Sequence, residues 1–268
     1  MFRTVVVLLG VLACLTGPSP AGVKSAELDC AAFVVLGDAR SVGGATWTYR
    51  STDDGVDYAL EGVLVTPAGA GPHPAVVITH GRGGDVGNYS ARIARTMVGW
   101  GLVAIATNYT HAPDRVDRGN TPDGPDGASP ANVQRAEKTR QLLTCVGGVD
   151  LARVAAHGNS MGAFVTTQLL GTHPGVFRAA SHTSGGVTDP LVAARITTPY
   201  QVHHGDSDAV VPLSQDQALI RVLADSGTSN ALQVHAGRGH ADLAHDPLVL
   251  SQVRDWYRAH GVLPDAGR

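Results

Sequence analysis

The sequence predicts an α/β fold, with a mostly parallel central sheet of about eight strands and helices on both of its faces. Short apolar runs bounded by turn residues alternate with longer segments of helical periodicity, a pattern typical of parallel strands joined by helices. The chain has 268 residues, of which 43% are hydrophobic, enough for a substantial core. No repeat or linker interrupts the alternation, so a single domain is predicted over residues 28–268.

The first two strands differ from those that follow. Residues 45–51 and 58–66 alternate between apolar and polar side chains with no helix between them, which predicts an antiparallel entry to the sheet. The later strands are predicted at 75–79, 102–107, 154–156, 177–182, 200–204 and 232–235. The helices are predicted at 88–100, 130–144, 160–171, 213–224 and 246–260. Ser129 and Pro130 suit the N-cap and first position of the second of these helices.

A long loop, residues 111–129, is rich in Asp, Gly and Pro. We expect it at the rim of a pocket that Tyr109 or Arg82 would line. Its Asp residues suggest a calcium site, but their spacing does not fit an EF-hand loop, so a solvated surface is the preferred interpretation.

The N-terminus has the pattern of an export signal. Arg3 supplies positive charge, residues 5–15 form an apolar run too short for a comfortable membrane span, and residues 19–21 form a small-x-small cleavage site. A signal peptide is therefore predicted at residues 1–21, and the mature protein is expected to be secreted or in the cell envelope. Cys14 ends a stretch that loosely resembles a lipoprotein box, which leaves lipid anchoring as an alternative.

Cys30 and Cys145 remain after the predicted cleavage. An oxidising compartment favours a disulfide between them. The alternative is two buried thiols that behave as small hydrophobic residues.

The charge pattern excludes some classes of partner. The formal net charge is −3 and no run of Lys or Arg occurs, so the chain lacks the electrostatic basis for binding nucleic acid or an anionic membrane. A small or neutral substrate is expected.

Residues 158–162 form a G-x-S-x-G motif centred on Ser160. The motif lies between a predicted buried strand and a predicted helix, the context in which it forms a sharp turn that exposes a nucleophilic serine. Glycines on both sides let the strand and the helix approach closely. Ser160 is therefore the predicted nucleophile.

A serine hydroxyl needs a base to take its proton and an acid to orient that base. Asp208, after a predicted strand, is the predicted acid, and Asp206 is the alternative, with turn capping as its other role. His240, in a glycine-containing loop after the last predicted strand, is the predicted base. His235 and His245 lie nearby and are assigned to a strand and to a helix start.

The oxyanion formed during acyl transfer needs preorganised backbone N–H donors. Met161, which follows the nucleophile, should supply one. The loop that begins at His80 and Gly81 should supply the other, with Arg82 as the preferred donor. A glycine-rich turn can also bind phosphate, but the Lys of a phosphate-binding loop is missing here.

The order Ser160, Asp208, His240, with His80-Gly81 upstream, resembles the α/β-hydrolase superfamily, and the second half resembles its dienelactone hydrolase-like and secreted serine esterase branch. The resemblance covers nearly the whole mature chain. It implies an eight-stranded sheet and cleavage of a small-molecule or polymeric ester through an acyl-enzyme, with no metal or organic cofactor. Dienelactone hydrolases are known for a cysteine nucleophile, so with Ser160 in that place the lactone substrate is not carried over.

Two other functions stay open at this point. A catalytically silent protein of this fold would bind a ligand or partner, although the chain keeps all three triad residue types in the expected order. A peptidase or an acyltransferase would use the same triad, because a fold does not select among acyl-transfer reactions.

Overall fold

A computed structural model of the protein describes residues 28–110 and 127–265. Within these residues the central sheet has nine strands: β1 (Phe33–Leu36), β2 (Ala45–Asp53), β3 (Val56–Val65), β4 (His73–Thr79), β5 (Val103–Thr107), β6 (Val149–Asn159), β7 (Ala179–Thr183), β8 (Tyr200–Gly205) and β9 (Asn230–His235). Their spatial order is β1-β2-β3-β5-β4-β6-β7-β8-β9. The pairings of β1 with β2, β2 with β3 and β3 with β5 are antiparallel, whereas β4 to β9 run parallel.

Helices cover both faces of the sheet. They are α1 (Ala91–Val98), α2 (Pro130–Leu142), α3 (Met161–Thr172), α4 (Pro190–Ala193), α5 (Leu213–Asp225) and α6 (Pro247–Ala259), with 3-10 turns at Cys30–Ala32 and Leu143–Cys145 and a π-helical turn at Val86–Ser90. The buried side chains of α2, α3 and α5 pack in one core. Those of α1 and α6 pack in a second core on the opposite face.

The strand order reverses beside β4. The chain leaves β4 towards one edge to form β5, then crosses back to form β6 and continues to the other edge. In open α/β sheets, the crevice at the carboxyl ends of the strands at such a reversal is where ligands bind. The loops after β4 and β6 therefore enclose the expected position of the site.

The predicted fold class is confirmed, with one strand more than expected. The sequence pattern does not predict β1 because its four residues do not alternate in polarity, and Val34, Val35 and Leu36 are exposed at the sheet edge. The short α4 is also missed, since four residues cannot show a helical period. β6 begins at Val149, before the predicted start at residue 154, and a register irregularity separates its first pairing with β4 from the rest.

Cys30 and Cys145 are joined by a disulfide with an S–S distance of 2.02 Å. The bond connects the turn before β1 with the end of the segment that follows α2. The predicted signal peptide, Cys14 and most of the Asp-rich loop, residues 111–126, lie outside the described residues. In the part of the chain that is described, no helix combines the length and the apolar character needed to cross a membrane.

Candidate active site

Ser160 lies in a sharp turn between β6 and α3. Its backbone has φ 53° and ψ −123°, a strained combination for a residue with a side chain. A Cβ on Gly158 would lie 2.6 Å from Oγ1 of Thr166, and one on Gly162 would lie 2.2 Å from the carbonyl oxygen of Thr79. Both glycines are therefore needed for the close approach of strand and helix, which leaves the Ser160 hydroxyl at the carboxyl edge of the sheet.

The structure brings Ser160, His240 and Asp208 into one hydrogen-bonded row. The Ser160 hydroxyl and Nε2 of His240 are 2.8 Å apart. Nδ1 of His240 lies 2.8 Å from Oδ2 of Asp208. Because a carboxylate can only accept, Nδ1 carries the ring hydrogen and Nε2 is left to accept from the serine.

The carboxylate of Asp208 is completely buried. Its Oδ1 accepts from the backbone N–H groups of Val210 and Val211, both at 2.8 Å. Although burial acts in the opposite direction, the backbone N–H of Val211 and the His240 side chain hold the pKa of Asp208 below its usual value. The Asp208 carboxylate is therefore kept ionised beside His240.

The alternative residues occupy other positions. Asp206 accepts from the backbone N–H of Gly237 at 2.7 Å, so it holds the loop that carries His240. Nε2 of His235 lies 3.1 Å from Nδ1 of His203. The ring of His245 packs against that of Tyr89, with centroids 5.3 Å apart.

The loop after β4 lies directly against Ser160. A Cβ on Gly81 would lie 3.0 Å from Cβ of Ser160. Nε2 of His80 accepts from the backbone N–H of Tyr109 at 3.1 Å, so Nδ1 carries the hydrogen and donates to the Gly81 carbonyl at 2.9 Å. The fully buried His80 thus fixes this loop.

Arg82 and Met161, the predicted oxyanion donors, both border the cavity at Ser160. Met161 is the first residue of α3, where backbone N–H groups have no partner within the helix. Arg82 therefore lines the pocket at Ser160. Tyr109, the other residue expected to line it, is fully buried.

Two clefts meet at Ser160 and Arg82. The first, here called the valine cleft, has a volume of about 510 Å³ and is lined by Met161, Phe164, Val187, Val210, Val211 and Pro212. The second, here called the histidine cleft, has a volume of about 530 Å³ and includes Asn88, Tyr89, His240, Ala241, Ala244 and His245. Apart from the residues already singled out as candidates, the residues that line the clefts carry no sequence signal, because lining a cavity requires no particular motif.

The described residues contain no group of three or more His, Cys, Asp or Glu side chains arranged to hold a metal ion. Most of the Asp-rich loop, residues 111–126, lies outside them.

Comparison with known proteins identifies the family. Residues 60–256 match the dienelactone hydrolase family. The chain belongs to this family. The predicted resemblance is thereby confirmed, and the protein is a hydrolase of the α/β-hydrolase fold.

Solved structures similar to this dienelactone hydrolase family member include several hydrolases. A thermophilic esterase from Thermogutta terrifontis aligns with a TM-score of 0.64 and 18% identity, over 82% of this chain and 94% of the esterase. A putative dienelactone hydrolase from Klebsiella pneumoniae aligns with a TM-score of 0.63 and 17% identity, over 79% and 97% of the two chains. A puromycin-hydrolyzing peptidase from Mycobacterium tuberculosis aligns with a TM-score of 0.63 and 20% identity, over 81% of this chain and 39% of the peptidase. A search of curated proteins finds no match.

Proposed function

We propose that this protein is an exported serine hydrolase that cleaves carboxylic esters through an acyl-enzyme. The observation that carries the proposal is the row of hydrogen bonds from Ser160 through His240 to Asp208, located where two clefts meet. In this proposal Ser160 is the nucleophile, His240 is the base 2.8 Å from it, and Asp208 is the carboxylate that orients His240.

In the proposed mechanism, Oγ of Ser160 attacks the ester carbonyl carbon while Nε2 of His240 takes the hydroxyl proton. The negative charge that develops on the carbonyl oxygen is met by the N–H groups of Arg82 and Met161. His240 then returns the proton to the departing alcohol, and the acyl group stays on Ser160. A water molecule, activated by His240 in the same way, releases the acid and restores the serine.

The positions of the two clefts suggest how a small-molecule ester would bind. The departing alcohol must lie near Nε2 of His240, because that atom protonates it. His240 lines the histidine cleft, so the alcohol portion is assigned there. The acyl portion is assigned to the valine cleft, whose apolar side chains, Phe164 and Val187 among them, suit an aliphatic chain.

Replacing Ser160 by Ala tests the proposal. The variant should keep the fold and lower kcat for an activated acyl ester by at least about 10⁴-fold, because the nucleophile is lost. A Ser251→Ala variant, which removes a hydroxyl bonded to Leu248 within α6, serves as the control and should keep wild-type turnover. Turnover by the Ser160→Ala variant at the wild-type rate would refute the assignment of the nucleophile.

The competing functions are separated by two further assays. A fluorophosphonate probe should label Ser160, whereas a catalytically silent protein would stay unlabelled. The T. terrifontis esterase has been solved phosphorylated by paraoxon, which makes this reaction class a suitable probe. A substrate panel of esters of different acyl lengths, lactones and amides then distinguishes an esterase from a peptidase, and added alcohol acceptors reveal an acyltransferase.

Export remains part of the proposal and has its own test. N-terminal sequencing of the protein from the culture medium should find a chain that begins near Gly22. A chain that begins at a lipid-modified Cys14 would support the anchored alternative.

A further inference from the structure

A second group of buried ionisable side chains lies behind the carboxylate of Asp208. It consists of His204 on β8, Asp216 on α5 and His182 on β7, and all three side chains have no exposed surface. Neither the motif nor the predicted triad assigns a role to them. We call His204 and Asp216 the inner pair.

The contacts of His204 determine its protonation. Nδ1 lies 2.6 Å from Oδ2 of Asp216. Nε2 lies 2.9 Å from the carbonyl oxygen of Val211 and 3.4 Å from Oδ2 of Asp208. All of these oxygens are acceptors, so both ring nitrogens must carry hydrogen, and His204 is an imidazolium.

Asp216 is held as a carboxylate by three donors. Oδ1 accepts from Nε2 of His182 at 2.8 Å. Oδ2 accepts from His204 and from the backbone N–H of Gly185, the latter at 3.2 Å. Although burial acts in the opposite direction, the two histidines lower the pKa of Asp216 to about 2. Likewise, despite burial, Asp216 raises the pKa of His204.

The inner pair acts on Asp208 through Val211. The carbonyl of Val211 accepts from His204, and its N–H donates to Oδ1 of Asp208 at 2.8 Å. The two peptide groups that flank Val211 therefore link the imidazolium of His204 with the carboxylate of Asp208. Because the opposite oxygen of Asp208 accepts from His240, the orientation of this turn fixes the hydrogen bond to the base.

We propose that His204 and Asp216 are positioning residues, which as a buried ion pair hold the 208–211 turn so that Asp208 orients His240. The proposal rests on the proposed function, because it assigns a task within the same triad. Neither residue lines the two clefts at Ser160, so they act through Asp208 and should affect kcat rather than substrate binding.

The inner pair also sets the electrostatic surroundings of the triad. The charged groups that face His204 are Asp216 from α5 and Asp208 from its own turn, and His182 on β7 faces the far side of Asp216. Removing the positive charge of His204 leaves the carboxylates of Asp208 and Asp216 without the cation that lies between them. The acid limb of kcat/KM should then move to higher pH, because the negative charge of these carboxylates is no longer balanced.

The main experiment compares His204→Gln with His203→Gln. His203 is the adjacent residue on β8, is equally buried and bonds to His235 instead, which makes it a matched control. For His204→Gln we expect kcat to fall about tenfold or more, KM to stay within about twofold, and the acid limb to rise by about one pH unit. Asp216→Asn should also lower kcat. It should not move the acid limb to higher pH, because this variant removes a negative charge, whereas His204→Gln removes a positive one.

The expected control result is that His203→Gln, even if less stable, keeps the wild-type kcat and pH profile. The proposal is overturned if folded His204→Gln shows an unmoved acid limb and a kcat no lower than that of His203→Gln. It is also overturned if KM rises while kcat stays unchanged.

Nuclear magnetic resonance of ¹⁵N-histidine-labelled protein tests the pair without relying on turnover. Wild-type His204 should be protonated on both ring nitrogens at pH 8, and the downfield Nδ1–H signal of His240 should be perturbed in Asp216→Asn but retained in His203→Gln. A neutral His204 at pH 8 would overturn the proposal even if His204→Gln does not fold. These nuclear magnetic resonance signals need no substrate. If the wild type shows them but does not hydrolyse esters, the proposed esterase function is contradicted and the role of the inner pair is not.

Discussion

At the residue scale, the two candidate acids next to the site have different partners. Asp208 is buried against His240, whereas Asp206 holds the backbone of Gly237. Both carboxylates follow the same strand and are two residues apart, so sequence position alone cannot separate them. Their hydrogen bonds distinguish the two carboxylates.

Asp208→Asn should lower kcat by about 10³–10⁴-fold, because an amide cannot stabilise the imidazolium and favours the wrong tautomer of His240. Asp206→Asn should have a much smaller effect, limited to a looser loop at Gly237. Steady-state kinetics on one activated ester, with thermal melting to check the fold, measures both. Equal losses in the two variants would contradict the assignment of Asp208.

The hydrogen-bonded row of Ser160, His240 and Asp208 shows what residue-level reasoning can reach. That these three side chains lie close together could be predicted because each follows a strand of the parallel sheet, and the carboxyl ends of such strands share one edge. The inner pair could not be predicted in the same way. His204 lies within a strand and Asp216 within an amphipathic helix, and their contact depends on how α5 packs on the sheet.

At the element scale, the turn from β6 to α3 requires backbone contact that few residues permit. Gly162 faces the carbonyl oxygen of Thr79 at the end of β4. The hydroxyl of Thr79 in turn donates to the Gly162 carbonyl at 2.8 Å. Strands β4 and β6 and helix α3 are therefore fixed together at Gly162.

Gly162→Ala should separate these elements, because the added Cβ would lie 2.2 Å from the Thr79 carbonyl oxygen. We expect a loss of about 1–3 kcal/mol in the free energy of unfolding and a large loss of kcat, since Ser160 shifts with the helix. Gly147→Ala is the control, because its Cβ would have no neighbour within 4 Å. Urea denaturation and ester turnover give the two readouts; a Gly162→Ala protein as stable and active as Gly147→Ala would refute the argument.

Strands β5 and β1 show why the sequence pattern predicts one part of the sheet and misses another. β5 has only buried side chains and the pattern of apolar runs finds it. β1 instead forms through its antiparallel pairing with β2. The disulfide between Cys30 and Cys145 lies beside this strand, and the prediction of an oxidising compartment favours it over two free thiols.

At the scale of the whole molecule, the parallel half of the sheet contains several buried histidines. His157 on β6 and His203 on β8 have no exposed surface. Burial, and next the positive charge of neighbouring histidines, lower the pKa of each to about 3. Both are therefore neutral in the folded protein at pH values where an unfolded chain would protonate them.

This difference predicts acid sensitivity. An unfolded histidine has a pKa near 6.5, so between about pH 6.5 and pH 3 the unfolded state binds a proton at each position that the folded state does not. The free energy of unfolding should therefore fall as the pH falls, by about 1.4 kcal/mol per pH unit for each of the two histidines. The stabilisation from Asp216, whose folded pKa is lowered to about 2, is lost only below about pH 4. His204, whose pKa is raised, has the opposite sign and remains fully stabilising below pH 6.5.

Urea denaturation at pH 7, 6 and 5 tests the prediction, with His157→Gln as the comparison. His157 shares a hydrogen bond of 2.8 Å with Ser181, so the variant should be less stable than the wild type at pH 7. Its stability should nevertheless fall less steeply with decreasing pH, by about one proton, because glutamine does not titrate. The two proteins should thus differ less at pH 5 than at pH 7. Parallel pH dependences would show that His157 already takes up its proton in the folded state.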